Sequence, residues 1–231
     1  SDYGKYGDAV EEIDWSTGEI LDALVRCGID ENTLVLFTSD NGATRGGSNG
    51  PLRGNKGQTY EGGMRVPCIA RWPDHVPANT VCDEISGTID ILPTLVHLAG
   101  GPDPTDRPID GCDIGSLLSG DSDAETPHRS YYYYQMDQLQ AIRSGSWKLY
   151  VALDDKKRNW GASLGPVPVE LYNLDEDIGE TTDVVADHPD VVLRLLSIAE
   201  EARAELGDME QEGVGQRPAA WVEEATGRLL E

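Results

Sequence analysis

Thr33-Leu-Val-Leu-Phe-Thr-Ser-Asp-Asn-Gly-Ala43 and Gly54-Asn-Lys-Gly-Gln-Thr-Tyr-Glu-Gly-Gly-Met-Arg-Val-Pro67 are the stretches on which the reading of this chain turns. Leu34 to Thr38 is an apolar, β-branched run with no room for a helical face, so it predicts a buried strand. The run stops at Ser39-Asp40-Asn41-Gly42. Asp40 and Asn41 then offer side-chain oxygens at the carboxyl end of a strand, where open α/β sheets place their ligand sites. Hard cations take such oxygens, although Asp-Asn-Gly by itself also makes a good turn.

Beyond this edge, Arg45-Gly-Gly-Ser-Asn-Gly-Pro-Leu-Arg-Gly-Asn-Lys-Gly57 combines glycines with cations and amides. Glycine lets backbone approach a ligand closely, and Arg or Lys beside it can bind an oxyanion. A nucleotide P-loop is excluded, because Gly54-Asn-Lys-Gly57 lacks both the Gly directly before the lysine and the Ser or Thr after it.

Ser39-Asp-Asn-Gly, Leu52-Arg-Gly-Asn-Lys-Gly and Tyr60-Glu-Gly-Gly-Met-Arg-Val-Pro67, in that order, resemble the C-terminal half of a type I sulfatase of the alkaline-phosphatase superfamily. Tyr6 to Leu21, Thr88-Ile-Asp-Ile-Leu-Pro-Thr-Leu95 and Asp110-Gly-Cys-Asp-Ile-Gly-Ser-Leu-Leu118 extend the resemblance, which covers roughly residues 3 to 175. It implies that Asp40 and Asn41 bind the calcium ion that holds the sulfate group. It also implies that Lys56 contacts the sulfate oxygens, where an ammonium offsets charge developing in the transition state. Arg53 is a further candidate for substrate binding. Arg65 is placed to pair with Glu61 four residues earlier, and both read as supports of the loop.

Sulfatases of this kind carry a formylglycine nucleophile made from the Cys or Ser of a Cys/Ser-x-Pro/Ala-x-Arg motif. Cys27-Gly-Ile-Asp, Cys68-Ile-Ala-Arg, Cys82-Asp-Glu-Ile and Cys112-Asp-Ile-Gly do not fit it. The resemblance therefore implies that the nucleophile, two further metal carboxylates and the acid/base histidine lie in an N-terminal half outside this chain. The expectation is a chain inactive by itself, with weak calcium binding, that associates as a homo-oligomer or with that half. A sulfated small molecule or glycan would be the substrate of the whole enzyme. A phosphoester hydrolase of the same superfamily, and a non-catalytic acidic module that binds a partner, are the alternatives.

Composition bounds these readings. The 231 residues are enough to bury a sizeable core. Lys and Arg number 18 against 42 Asp and Glu, for a formal net charge of −24. That balance disfavours nucleic acid and anionic membrane as partners, and it makes the local cations Arg45, Arg53, Lys56 and Arg65 matter more than the global field. The cysteines show no metal-binding spacing and read as free, buried thiols, with disulfide pairing left open. No apolar run approaches the ~20 residues of a membrane span.

Around the central stretch, apolar spacing predicts a helix over 8–26 laid on the sheet, with Asp8-Ala-Val-Glu11 as a capping box and Gly28 as its stop. A strand follows over 67–71 and a helix over 88–99, with Pro93 in its first turn. Residues 102–127 read as a linker on the surface. Short strands are then expected at 130–135, 140–143, 147–153 and 169–172, with Ser144-Gly-Ser146 as a hairpin turn. A helix over 189–206 carries Val192, Leu195, Leu196, Ala199, Ala202 and Leu206 on one face. Alternation splits Tyr131 to Tyr134 between two faces, one of them core and the other available to a substrate mouth. His75, His97, His128 and His188 read as packing, turn or cap residues. The expected architecture is α/β: part of an alkaline-phosphatase-like sulfatase domain over 1–125, then a small α+β domain over 126–207 in which a helix crosses a four-stranded antiparallel sheet. An acidic tail, with Trp221, Leu229 and Leu230 as its large apolar residues and room for a short helix after Pro218, fills 208–231.

Overall fold

A computed structural model describes residues 1–44, 46–102, 107–158, 162–218 and 221–223. Arg45, Leu229, Leu230 and most of the stretch expected to form a helix after Pro218 lie outside these residues. The fold is mixed α/β. Helix α1 (Gly4–Cys27) leads through a single 3-10 turn to strand β1 (Val35–Thr38), which pairs antiparallel with β2 (Cys68–Arg71). Between the two strands lies a long loop that ends in the one-turn helix α2 (Glu61–Met64). Helices α3 (Ile91–Leu98) and α4 (Gly115–Leu118) follow, and then strands β3 (Tyr131–Gln135), β4 (Gln138–Ser144), β5 (Trp147–Tyr150) and β6 (Glu170–Asn173). These four form a simple antiparallel meander, crossed by α5 (Pro189–Leu206).

The first part departs from expectation in two places. Helix α1 begins at Gly4, so Asp8 and Glu11 lie inside it rather than at its start, and the expected capping box does not form. Gly28 does end it, in a left-handed conformation at φ 67°, with its N–H on Val25 and that of Ile29 on Leu24. The helix does not lie buried on a sheet. Leu21 and Leu24 are half-buried, but Val10, Ile13 and Ile20 are 51%, 52% and 58% exposed. Strand β1 is likewise half-buried along its whole length, not buried, because among the described residues only β2 pairs with it.

The small sheet buries both of its faces. On one, Leu139, Ile142, Leu149 and Leu171 meet Leu195, Ile198, Ala199 and Ala202 of α5. Each large side chain so buried contributes roughly 1.5–3 kcal/mol. On the other, Tyr133, Ala141, Tyr150 and Tyr172 pack with Tyr60 of the loop before α2. The tyrosine run therefore serves two cores, with Tyr132 and Tyr134 toward α5 and Tyr131 and Tyr133 toward the loop. A bulge shifts the register between Tyr133↔Ala141 and Tyr134↔Leu139, leaving Gln140 opposite no residue. Such a bulge re-aims a side chain, and here it turns the Gln140 amide to Thr59, whose hydroxyl donates to it at 2.9 Å. The predicted hairpin is present, with Gly145 at φ 60°.

The stretch read as a surface linker is anchored instead. Ile114 and Leu117 are buried. Asp90, itself fully buried, accepts the N–H of Gly87 at 2.7 Å and that of Cys112 at 2.8 Å, while His128 Nε2 lies 2.8 and 2.9 Å from its two oxygens. Thr94 donates to the Asp90 carbonyl and accepts the N–H of Ile114, so one carboxylate gathers three separated segments.

Candidate functional site

Backbone geometry brings the two halves of the central stretch together. The N–H of Gly42 donates to Gly63 at 3.0 Å, that of Gly62 to Arg53 at 2.7 Å, and that of Lys56 to Ala43 at 3.0 Å. Asn49 closes the loop from within, accepting the Ala43 N–H at 2.7 Å and donating to the Gly54 carbonyl at 2.9 Å. The approach demands glycine. A Cβ at Gly42 would stand 1.8 Å from the Gly62 oxygen, and one at Gly62 would stand 2.6 Å from both the Arg53 and Gly54 oxygens.

On this frame, Asp40 is exposed just past the end of β1, with the Asn41 amide donating to it at 2.5 Å. Lys56 is exposed and, among the described residues, makes no ion pair. Its backbone is tied to the residue that follows Asn41-Gly42. Arg53 instead turns inward: Nη1 donates to the Glu180 carbonyl at 2.9 Å and the Tyr172 hydroxyl at 3.2 Å, and the guanidinium lies 4.0 Å over the Tyr60 ring. A cleft of about 390 Å³ opens beside the site, with Asp40, Arg65, Thr88, Tyr131 and Arg143 on its walls.

Under the loop sits a cluster of buried charges. Glu61, Lys148 and Glu180 are each 0% exposed. The Lys148 ammonium lies 2.8 Å from Glu61 Oε1 and 3.0 Å from Glu180 Oε1, and it also donates to the Thr59 carbonyl at 2.9 Å. Glu180 Oε2 accepts the Glu61 N–H at 2.7 Å, Tyr133 donates to Glu61 and Tyr150 to Glu180. Glu61 Oε2 has no hydrogen-bond partner, and Arg143 and Arg65 approach it only to 3.6 and 3.8 Å. Burial works to raise the Glu61 carboxyl, but the Lys148 ammonium, with Arg143 and Tyr133, draws it below the ordinary carboxylate value. Burial and the facing carboxylates hold the Tyr133 and Tyr150 phenols well above theirs, so both are neutral donors.

The pairing of Arg65 with Glu61 was legible in the four-residue spacing. The role of Lys148 was not: in Trp147-Lys-Leu-Tyr150 only its alternation with Leu149 places it on the face of Tyr150. No pattern links it to Glu180. As a calcium site the donor set is of the right kind and too small. Asp40 and Asn41 supply hard oxygens, but calcium takes six to eight, and among the described residues no group of three or more His, Cys, Asp or Glu could hold a metal.

A family model described as Sulfatase matches residues 1–101, and a second, described as N-sulphoglucosamine sulphohydrolase, C-terminal, matches residues 55–205. The chain belongs to the sulfatase family. It is 43% identical to steryl-sulfatase of Mus musculus in an alignment 162 positions long that covers 64% of this chain and 26% of that one. It is 44% identical to N-acetylgalactosamine-6-sulfatase of Canis lupus familiaris in an alignment 156 positions long that covers 65% of this chain and 29% of that one. Among solved structures, a sulfatase from Pseudoalteromonas sp. superposes with a TM-score of 0.75 at 28% identity, over 85% of this chain and 42% of that one. Another, described with the metabolism of multiple glycosaminoglycans by Bacteroides thetaiotaomicron, gives 0.75 at 29% identity over 87% and 45%. The chain thus spans under a third of these curated relatives and under half of these solved chains.

Proposed function

We propose that this chain supplies the C-terminal part of an enzyme that hydrolyses a sulfate ester. Supporting this is one observation above the others: an exposed Lys56 ammonium, without an ion pair among the described residues, on a loop whose backbone is bonded to the residue just after Asp40-Asn41-Gly42. In this reading Lys56 meets the sulfate oxygens and offsets the charge that develops on them and on the leaving oxygen. Asp40 and Asn41 would contribute to a calcium shell completed by carboxylates from outside this chain, the ion supplying a positive counter-charge to the sulfate. Arg53, held inward by Tyr172 and Glu180, serves the loop in this proposal rather than the ester.

The sulfuryl transfer itself needs a nucleophile, and the formylglycine motif does not occur at the four cysteines. Loss of the nucleophile from a coupled set of catalytic groups costs on the order of a millionfold even when oxyanion stabilisation survives. The chain alone is therefore expected to show no turnover of an aryl sulfate above background. Adding a separately produced N-terminal half with matured formylglycine should restore turnover, and Lys56→Ala should suppress the restored rate. Hydrolysis by the chain alone, unchanged in Lys56→Ala, would overturn both the site and the division of labour. The proposed division runs 1–125 for the sulfatase domain part, 126–207 for the sheet-and-helix unit and 208–231 for the tail. The open apolar side of α1 and the free edge of β1 are the surfaces on which a second copy or the N-terminal half would dock.

A further inference from the structure

We propose that Lys148, far from the exposed site in sequence and fully buried, is a positioning residue for the sulfate-facing loop, and that the small sheet thereby sets the geometry of the site; this rests on the reading of Lys56 above. Lys148 stands in the middle of β5, between Trp147 and Leu149, which pack toward α5. Its ammonium passes to the other face and takes hold of the segment 59–61 at two points, the Thr59 carbonyl at 2.9 Å and the Glu61 carboxylate at 2.8 Å. A third tie runs through Glu180, which Lys148 pairs at 3.0 Å and whose other oxygen accepts the Glu61 N–H at 2.7 Å.

From this segment the chain leads both ways to the candidate groups. Thr59 is three residues from Lys56. In the other direction Gly62 and Gly63 are bonded to Arg53 and Gly42, directly beside Asn41 and Asp40. Displacement of 59–61 therefore moves the lysine and the carboxylate together. Three buried charges give this hold its stiffness, since the desolvation of the two carboxylates is offset in large part by the Lys148 ammonium at these distances, with Tyr133, Tyr150 and Arg143 adding to it. Without Lys148 the segment keeps the bonds of Thr59 to Gln140, of Tyr133 to Glu61, of Tyr150 to the Thr59 carbonyl and of the Glu61 N–H to Glu180. What it loses is the ammonium that joins Thr59, Glu61 and Glu180 at a single point.

The experiment compares the chain with Lys148→Met, Lys148→Arg and the double variant Lys148→Met/Glu180→Gln. The double variant removes one buried charge of each sign, so it keeps the fold accessible where Lys148→Met alone leaves two carboxylates uncompensated. Amide hydrogen exchange reads the loop (residues 56–63) and, as an internal reference, β4 and α5. The expected result is loss of loop protection by about tenfold or more with the reference amides unchanged, and recovery in Lys148→Arg. Titration with inorganic sulfate, followed at the Lys56 amide, should weaken by about 10- to 100-fold, the range typical when an outer support of a ligand group is removed. Equal loss of protection in loop and reference, or no loss in either, overturns the proposal. A parent chain whose Lys56 amide does not respond to sulfate overturns instead the reading of Lys56, and leaves the exchange comparison to decide the positioning role by itself.

Discussion

At the scale of single residues, the chain separates groups that face outward from groups that hold them. Asp40 and Lys56 are exposed, while Glu61, Lys148 and Glu180 are buried beneath their loop and Asp90 is buried where it gathers three other segments. The outward groups were legible in the sequence because their neighbours mark them: a strand that ends on Asp-Asn-Gly, a lysine set among glycines. The buried ones were not, since a charge satisfied by a partner 87 positions away leaves no local trace. The exposed carboxylate carries a prediction. With two hard oxygens at hand, calcium affinity of the chain should be far weaker than a complete shell gives, because each absent ligand removes charge and coordination. Calorimetry should show no micromolar site; such a site, lost in Asp40→Ala, would contradict the assignment of an incomplete shell.

At the scale of elements, period and length located β1, β2, α3, β3 to β6 and α5 within a few residues, and the apolar face of α5 was read at Val192, Leu195, Leu196, Ala199 and Ala202, while Val191 and Ile198 also pack on the core and Leu206 is not part of it. The pattern failed where burial depends on a partner. The spacing in α1 is helical and amphipathic, yet no residue of the helix is buried. The 102–127 stretch is rich in turn formers, but its apolar island docks because Asp90 and Thr94 capture its backbone. Among the described helices, α5 buries the most residues. Leu195 is 0% exposed in the core between α5 and the sheet, so Leu195→Ala should cost about 2–5 kcal/mol. Urea unfolding would show this as a lowered midpoint, with a slope unchanged unless the denatured state is altered too.

At the scale of the molecule, the network beneath the loop ties its stability to pH. The Glu61 carboxyl titrates lower in the fold than the roughly 4.3 of an unfolded chain, so the unfolded state binds the proton first. Its stabilisation is therefore present in full above that value and is lost as pH falls through the folded one. Thermal melts between about pH 6 and pH 3 should show Tm falling in the parent more steeply than in Glu61→Gln. The apolar side of α1 and the edge of β1 predict association at high concentration, measurable by sedimentation. A well-folded species that stays monomeric throughout would count against that surface.

The sheet with two buried faces has a consequence for how much variation it allows. A strand with one wet side accepts polar residues at every second position, and a library of single substitutions through it shows tolerance that alternates along the chain. Tyr131 to Tyr134 have no fully wet side: Tyr133 is buried and the other three are half-buried, because α5 packs against one pair and the loop region against the other. Substitution to Ser or Lys should be rejected at all four positions in succession. A sequence that looks like repetition, four tyrosines in a row, is then four separate constraints that happen to call for the same side chain.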